Sequence, residues 1–499
     1  MDPIRLIRIV AVLVIASFLH AGHIEADQSP ENTSTDEVSA TNAPEDGLEE
    51  RLRRTPSIRS QAIEAEVKEG VATLSGSVDS LSSSRSAAEI ATATPGINSV
   101  VNQLIVQPPF VPDDEIVEHS VSLISEMEAA DASRIQITST DGVVELSGPT
   151  DSLMEKELIE SEIAYIRGVK SINNLLKVDS RRDTNDDELT AIISELMENS
   201  AVLDGSNVEV KVKNRAVALS GSVLTPTEKT TAVNLAGIPG VITVDATNLA
   251  IRSDADYEKR RSERIAAITD ERIARSIELA MNQHPLVVAA ADEISVTSSA
   301  GIVTLAGKVK RFSIKKAAEE IATFTSGVQG IDNRIEIEWS DREISDEDIV
   351  SNVREAVTRD AYLELADIIP RSRDFHVHLY GMVDTNFEKE RAGRIAGAQP
   401  GVVHVANYLT VSDSFDELSD ERIADALHQH IKLLNTDPQV QVSVEIHNGV
   451  PIFRGHVSTW FQWQSLLRMA KKAGARRPHI DVTVHHRPSG IGPDLYVPN

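Results

Sequence analysis

Gly70-Val71-Ala72-Thr73-Leu74-Ser75-Gly76-Ser77-Val78 decides the fold, because this phrase returns along the length of the chain. It recurs as Gly142 to Gly148 (GVVELSG), Arg215 to Val223 (RAVALSGSV) and Gly301 to Val309 (GIVTLAGKV). Weaker copies are His376 to Val383 (HVHLYGMV) and Gly449 to Val457 (GVPIFRGHV). The closing glycines Gly76, Gly148, Gly221, Gly307, Gly381 and Gly455 stand 72, 73, 86, 74 and 74 residues apart. A repeat of that period means a tandem array, here of six copies.

Within the phrase, Ala72 and Leu74 share one face while Val71, Thr73 and Ser75 share the other, which predicts a half-buried strand. Turn pairs precede it: Glu69-Gly70, Asp141-Gly142, Ala300-Gly301 and Asn448-Gly449 suit a tight hairpin from an earlier strand such as Val208, Val210, Val212. Before that strand, Ile273, Ile277 and Met281 are spaced for one face of a helix opened by Asp270-Glu271, acids placed against its N-terminal dipole. After the phrase, Thr225, Pro226 and Glu228 start a second helix, and Pro95-Gly96, Gly168, Pro239-Gly240, Gly327 and Pro400-Gly401 stop it in five copies. A third strand follows, as in Ile172 to Val178. The expected fold is α+β: six small α-β-β-α-β units, each a three-stranded sheet covered on one face by two helices.

The expected boundaries are 48–107, 113–178, 186–252, 268–340, 344–412 and a degenerate sixth unit at 418–487, with a tail at 488–499. The surplus between the third and fourth copies, Ser253 to Ile268, reads as a backward extension of the next helix. Units of about 70 residues bury modest cores, and the array is expected to form a beaded rod. Residues 1–26 read as a secretory signal or an uncleaved N-terminal anchor: Arg5 and Arg8 precede Ile9 to Leu19, an apolar run too short to span a bilayer comfortably. Residues 27–47 are acidic and rich in Ser, Thr and Asn, which predicts a disordered linker. The chain is therefore expected to be exported, to the periplasm or another part of the cell envelope.

The hairpin phrase, the short helix and the following P-G-V-x-x-V-x-N-x-L together resemble the BON module, named for bacterial OsmY and nodulation proteins. The second half appears as Gly96-Ile97 with Asn102 and Leu104, Gly168-Val169 with Asn174 and Leu176, Gly327-Val328 with Asn333 and Ile335, and Gly401-Val402 with Asn407 and Leu409. The third copy departs with Ala246 at the asparagine position. The resemblance implies a non-catalytic bacterial envelope protein, of a family thought to bind phospholipid or to attach proteins to membranes, and it supplies no catalytic residues to carry over.

Composition narrows the partners. With 49 basic and 77 acidic residues the formal charge is −28, which repels nucleic acid, and with no cysteine the chain has no disulfide, thiolate metal site or lipidated thiol. No nucleotide-binding glycine pattern is present, and no nucleophile–base set recurs at one position across the copies, so neither an enzyme nor a cofactor is expected. His376 and His378 point to the same side of a strand, but Val377 and Leu379 take the core side and no third ligand is apparent, so no metal is expected. His485-His486 near the end is read the same way. The six closing glycines are read as structural, serving a turn or a close helix-to-sheet approach.

The sixth copy departs most. Trp460, Phe461 and Trp463 fall at the start of its second helix, and Arg468, Lys471, Lys472, Arg476 and Arg477 follow with Asp481 as the one acid between 454 and 487. Aromatic residues beside cations suit the headgroup level of an anionic membrane, where each cation contributes about 1 kcal/mol. These eight residues are the candidate lipid- or anion-binding set; the opposing reading is core filling plus docking onto acidic neighbouring units. The expected partners are a phospholipid surface or, alternatively, envelope proteins in a scaffold or stress role without direct lipid contact.

Overall fold

The computed structural model describes residues 48–484, apart from a few positions within 50–61 and 93–98 and the stretches 128–131, 180–183, 253–255, 339–343, 364–365, 413–419, 436–439, 448, 473–474 and 476–477. The expected signal at 1–26, the linker at 27–47, the tail at 488–499, His485-His486, Arg476 and Arg477 lie outside the described residues.

Each copy of the phrase is the central strand of its own sheet. Six sheets run in the order first, middle, third strand in every unit. The hairpin pair is antiparallel and the middle–third pair parallel, as in Ile294–Ser299, Ile302–Val309 and Gly330–Ile337 of the fourth unit. A parallel partner needs a crossover, and the second helix (Phe312–Thr323 here) supplies it while the opening helix (Asp270–Met281) packs beside it. The alternation read from the phrase holds: Ala72, Leu74, Val303, Leu305, Val377 and Leu379 are fully buried beneath the helices.

Three local devices repeat. The hairpins turn through left-handed pairs, including Asn214-Arg215 (φ 52° and 64°) and Asp374-Phe375 (φ 51° and 64°), where no glycine announces a turn. In units two to six an aspartate of the opening helix holds the turn: Asp346 accepts from the amides of Asp374 (2.9 Å) and Phe375 (3.0 Å) and from the Ser372 hydroxyl (2.5 Å). Asp113, Asp186, Asp270 and Asp420 stand in the same place. These acids are therefore clamps on the hairpin rather than complements to the helix dipole alone. The asparagines of the third strand are the second device. Asn407 donates to the Lys389 carbonyl (2.6 Å) and accepts from the Leu409 amide (3.2 Å), tying the second helix to a bulge in that strand. The third device is the closing glycine: at Gly148, Gly221, Gly307, Gly381 and Gly455 a Cβ would stand 1.8–2.3 Å from a carbonyl oxygen at the start of the facing strand or in the 3-10 turn that leads into it. The close approach is thus strand to strand, not helix to sheet.

Two expectations fail. Residues 257–266 form a separate helix, Tyr257–Ala266, because the chain breaks before Thr269, whose hydroxyl caps the next helix through the Arg272 amide at 3.2 Å. Arg264 ties this extra helix back to the third unit through the carbonyls of Leu203 (2.9 Å) and Asp204 (3.1 Å). Nor is the array a beaded rod. The end of an opening helix pairs with the end of another unit's second helix in isolated antiparallel bridges, Ser200 with Thr325 and Ile166 with Asp360. The second of these joins units two and five, which are not sequence neighbours. Helix ends carry unsatisfied backbone groups, and the bridges satisfy them, as when Ala361 donates to the Tyr165 carbonyl at 2.9 Å.

Buried charge reinforces the same junction. Arg391 donates to Asp360 (2.6 Å), faces Glu162 (3.5 Å) and lies 3.6 Å from the Tyr165 ring centroid. Unit one reaches unit five through Ser83 and the Tyr362 hydroxyl (3.0 Å), and Arg311 of unit four donates to the Glu126 carbonyl of unit two (3.1 Å). The described residues from 48 to 484 form one compact unit in which helices meet helices and the far sides of the sheets stay open.

Candidate functional site

The sixth unit's second helix, Trp460–Lys472, carries most of the candidate set, and its start is fixed by Thr459, whose hydroxyl accepts from the Gln462 amide at 3.2 Å. Four residues after the equivalent cap, units two to five place Lys156, Lys229, Lys315 and Lys389, each donating its Nζ to a third-strand carbonyl at 2.6–2.8 Å. Trp463 occupies that position and does the same work, its indole nitrogen donating to the Val482 carbonyl at 3.1 Å. Its ring stacks on Trp460, with centroids 4.8 Å apart and planes 3° off parallel.

Trp460 in turn packs against the hydrophobic core of unit four, and its amide donates to the Val328 carbonyl there at 2.9 Å. Phe461 meets Phe324 of unit four at 5.3 Å, and the Arg468 guanidinium lies over both rings at 5.3 and 5.4 Å. Arg468 keeps an exposed side, but the loss of water where it packs over the rings holds its pKa below the ordinary value. So Trp460, Phe461, Trp463 and Arg468 are brought together at the junction of units four and six. Lys471 and Lys472 end the same helix, with side chains outside the described set.

A second concentration of aromatic and basic groups was only half visible in the sequence. On unit five the far side of the sheet carries His376, His378, Tyr380 and Met382 on the middle strand (His376–Val383), with Arg371 and Arg373 across the hairpin opposite His378 and His376. The parallel third strand adds His404 opposite His376. The Tyr380 and Tyr408 rings lie 5.5 Å apart and 17° from parallel, His378 is 6.0 Å from Tyr408, and the Arg371 guanidinium is 5.7 Å from the Tyr380 ring. Burial, followed by the neighbouring His376 and His378, lowers the His404 pKa. Sequence reasoning placed the first two histidines outward; it missed His404 and Tyr408 because they join the face only through strand pairing.

The titratable groups that depart furthest from ordinary behaviour are structural in position. Glu155 sits at the third position of a second helix, where its side chain accepts from the Asp151 amide (2.7 Å), and burial pushes its pKa up to about 7. Burial likewise pushes His284 down to about 4. Among the described residues no group of three or more His, Asp or Glu is placed to hold a metal ion, and no helix is long and apolar enough to cross a membrane. A cleft of about 350 Å³ between units two and three, lined by Leu153, Lys156, Glu157, Val233 and Ile242, holds no nucleophile–base pair.

The repeated clamps and glycines agree with a family model described as the BON domain, which matches residues 45–108, 112–180, 185–253, 269–338 and 345–413. The chain belongs to the BON domain family. The sixth unit falls outside those matches while keeping the strand order of the BON units. Osmotically-inducible protein Y of Escherichia coli (strain K12) is 32% identical over 127 residues, covering 24% of this chain and 63% of that protein. Two solved structures of CdsD, a structural protein of the type III secretion system of Chlamydia trachomatis, also match. They are 15% and 11% identical, cover 42% and 46% of this chain and 92% and 100% of theirs, and both have a TM-score of 0.12.

Proposed function

We propose that this chain is a non-catalytic scaffold of the bacterial envelope, acting in osmotic or envelope stress and holding other envelope proteins through the open sides of its sheets. The observation that carries the reading is the buried junction of Arg391, Asp360, Glu162 and Tyr165, which fixes units two and five to each other and leaves their far sheet sides free. A fixed set of exposed sheets suits partner binding, and among the described residues no side-chain set in the cleft or on the sheets is arranged for bond chemistry. Export to the envelope rests on the N-terminal sequence and on the BON family. The test is retention of specific partners from detergent-solubilised envelope extract by the purified chain; loss of every partner once lipid is removed counts against it.

A second reading is favoured by one observation: Arg468 is exposed next to Phe461 and is followed by Lys471, Lys472, Arg476 and Arg477. In that reading the sixth unit attaches to phospholipid. Co-sedimentation with phosphatidylcholine vesicles containing phosphatidylglycerol tests it, since binding that disappears in Lys471→Glu/Lys472→Glu would move the function to the membrane surface.

A further inference from the structure

Two sheet faces each expose three or more large apolar residues, where unit two exposes Val143 and Leu175, at 42% and 48%. That of unit five exposes Ile369, Tyr380, Met382 and Tyr408, at 46%, 41%, 52% and 58%. Around them stand Arg371, Arg373 and three histidines, with Asp367 at the far corner and Asp374 in the turn, 3.7 Å from Arg373. Tyr, Met and Arg are the residue types that concentrate at the centres of protein–protein contacts, and Lys, absent from this face, is depleted there. Its two arginines sit side by side on the first strand, with one aspartate at the far corner and the other in the turn, on a chain whose formal charge is −28.

The complementary surface lies on the same chain. Unit one exposes Val71, Val101 and Ile105 at 37%, 42% and 60%, on the outer side of a sheet whose first strand, Ala62–Lys68, presents Glu64 and Glu66 to that side. Glu66 also meets Lys68 at the strand end, at 2.5 Å. In both faces the two like charges sit at alternate positions of the first strand, a repeat of about 6.8 Å. Apolar residues lie on the two strands beside them in each case. The charge repeats therefore match in spacing and oppose in sign. Two unit-five faces cannot pair with each other, because arginine would meet arginine, so the contact is heterologous and joins copies head to tail.

We propose that the outer face of unit five docks on the outer face of unit one of a second copy of this chain, with Arg371 and Arg373 against Glu64 and Glu66 and the tyrosines against Val71, Val101 and Ile105. The inference rests on the scaffold reading for its use and extends it: the scaffold is a self-assembling one. Sedimentation velocity of the full chain across a concentration series tests it. At low salt the wild type associates with increasing concentration, and high salt reverses this. Arg371→Glu/Arg373→Glu and Glu64→Arg/Glu66→Arg each weaken association more than tenfold, while an equimolar mixture of the two, or the chain carrying all four changes, regains it. Recovery in the mixture shows that the single sets remained folded. A wild type that stays monomeric, association that survives either reversal, or a mixture that does not recover overturns the proposal. So does a monomer that sediments with phosphatidylglycerol vesicles through Arg371 and Arg373. A monomeric wild type that still retains envelope partners would overturn the self-docking and leave the scaffold reading in place.

Discussion

The second helix of unit six and the outer face of unit five hold the two aromatic concentrations of this chain, and they are opposite in kind. In unit six the aromatics are adjacent in sequence and are half-buried in packing: Trp463 replaces a lysine that bonds a carbonyl in units two to five, and Trp460 and Phe461 pack at the junction with unit four. In unit five the aromatics are scattered over positions 376 to 408 and are assembled on an open surface by strand register. Clustering along a sequence reports local composition; only pairing in space decides whether a cluster meets solvent or a core.

The strongest way to break that contrast is Trp463→Ala. Truncating a packed aromatic costs about 3–5 kcal/mol, and here the hydrogen bond to the Val482 carbonyl is lost as well, so thermal unfolding should show the sixth unit melting first. Trp463→Lys should recover part of that loss, since lysine makes the equivalent bond in units two to five. If the lysine variant is no better than alanine, the positional equivalence is wrong. Trp460→Ala should cost less, about 2–3 kcal/mol, because its indole nitrogen is buried without a hydrogen-bond partner and only packing is lost. Hydrogen exchange should then rise in both unit six and the Val328 region of unit four. Exchange confined to unit six would mean that the tryptophan does not hold the two together.

The unit itself was legible in the sequence, and the packing of units was not. Glycine spacing, the two-residue alternation in the phrase and the Thr225-Pro226-Glu228 start gave the element order and the buried side of each strand, because these are local consequences of backbone geometry. The turn residues Asn214-Arg215 and Asp374-Phe375 of two expected hairpins were not picked out, since the clamp that holds their left-handed turns comes from Asp186 and Asp346, about 28 residues earlier. The rod expectation failed for a similar reason: Glu162, Tyr165, Asp360 and Arg391 carry no common spacing, and their meeting depends on two non-adjacent units closing on each other. Of the candidate set, the sequence located the tryptophan cluster but not its neighbours, and located two of the three histidines of the open face.

Smaller effects sharpen the comparison further. The position that holds Gln462 in unit six holds Glu155 in unit two, and each side chain accepts backbone amides at the start of its helix. Glu155 has a folded-state pKa of about 7, raised from an ordinary value of 4.5 by burial. A raised carboxyl pKa means that the folded state binds the proton more tightly than the unfolded one. Its contribution is thus fully present below about pH 4.5 and is lost as pH rises through about 7. Glu155→Gln should therefore raise the melting temperature at pH 8, and the gain should shrink steadily towards pH 5. A gain that grows on acidification would reverse the sign of the argument.

The smallest expected change is also the one that separates the two regions most cleanly. Tyr408 is 58% exposed, and its main partners are the stacked Tyr380 and His378 rings on the open face. Surface substitutions away from caps, cores and buried pairs usually fall within about 0.5 kcal/mol, so Tyr408→Ser should leave the unfolding midpoint almost where it was. A tyrosine kept at solvent without a stability role is positioned for contact rather than for folding. If Tyr408→Ser destabilises the chain as strongly as Trp460→Ala does, the open face is part of the fold's own packing and the contrast between the two regions disappears.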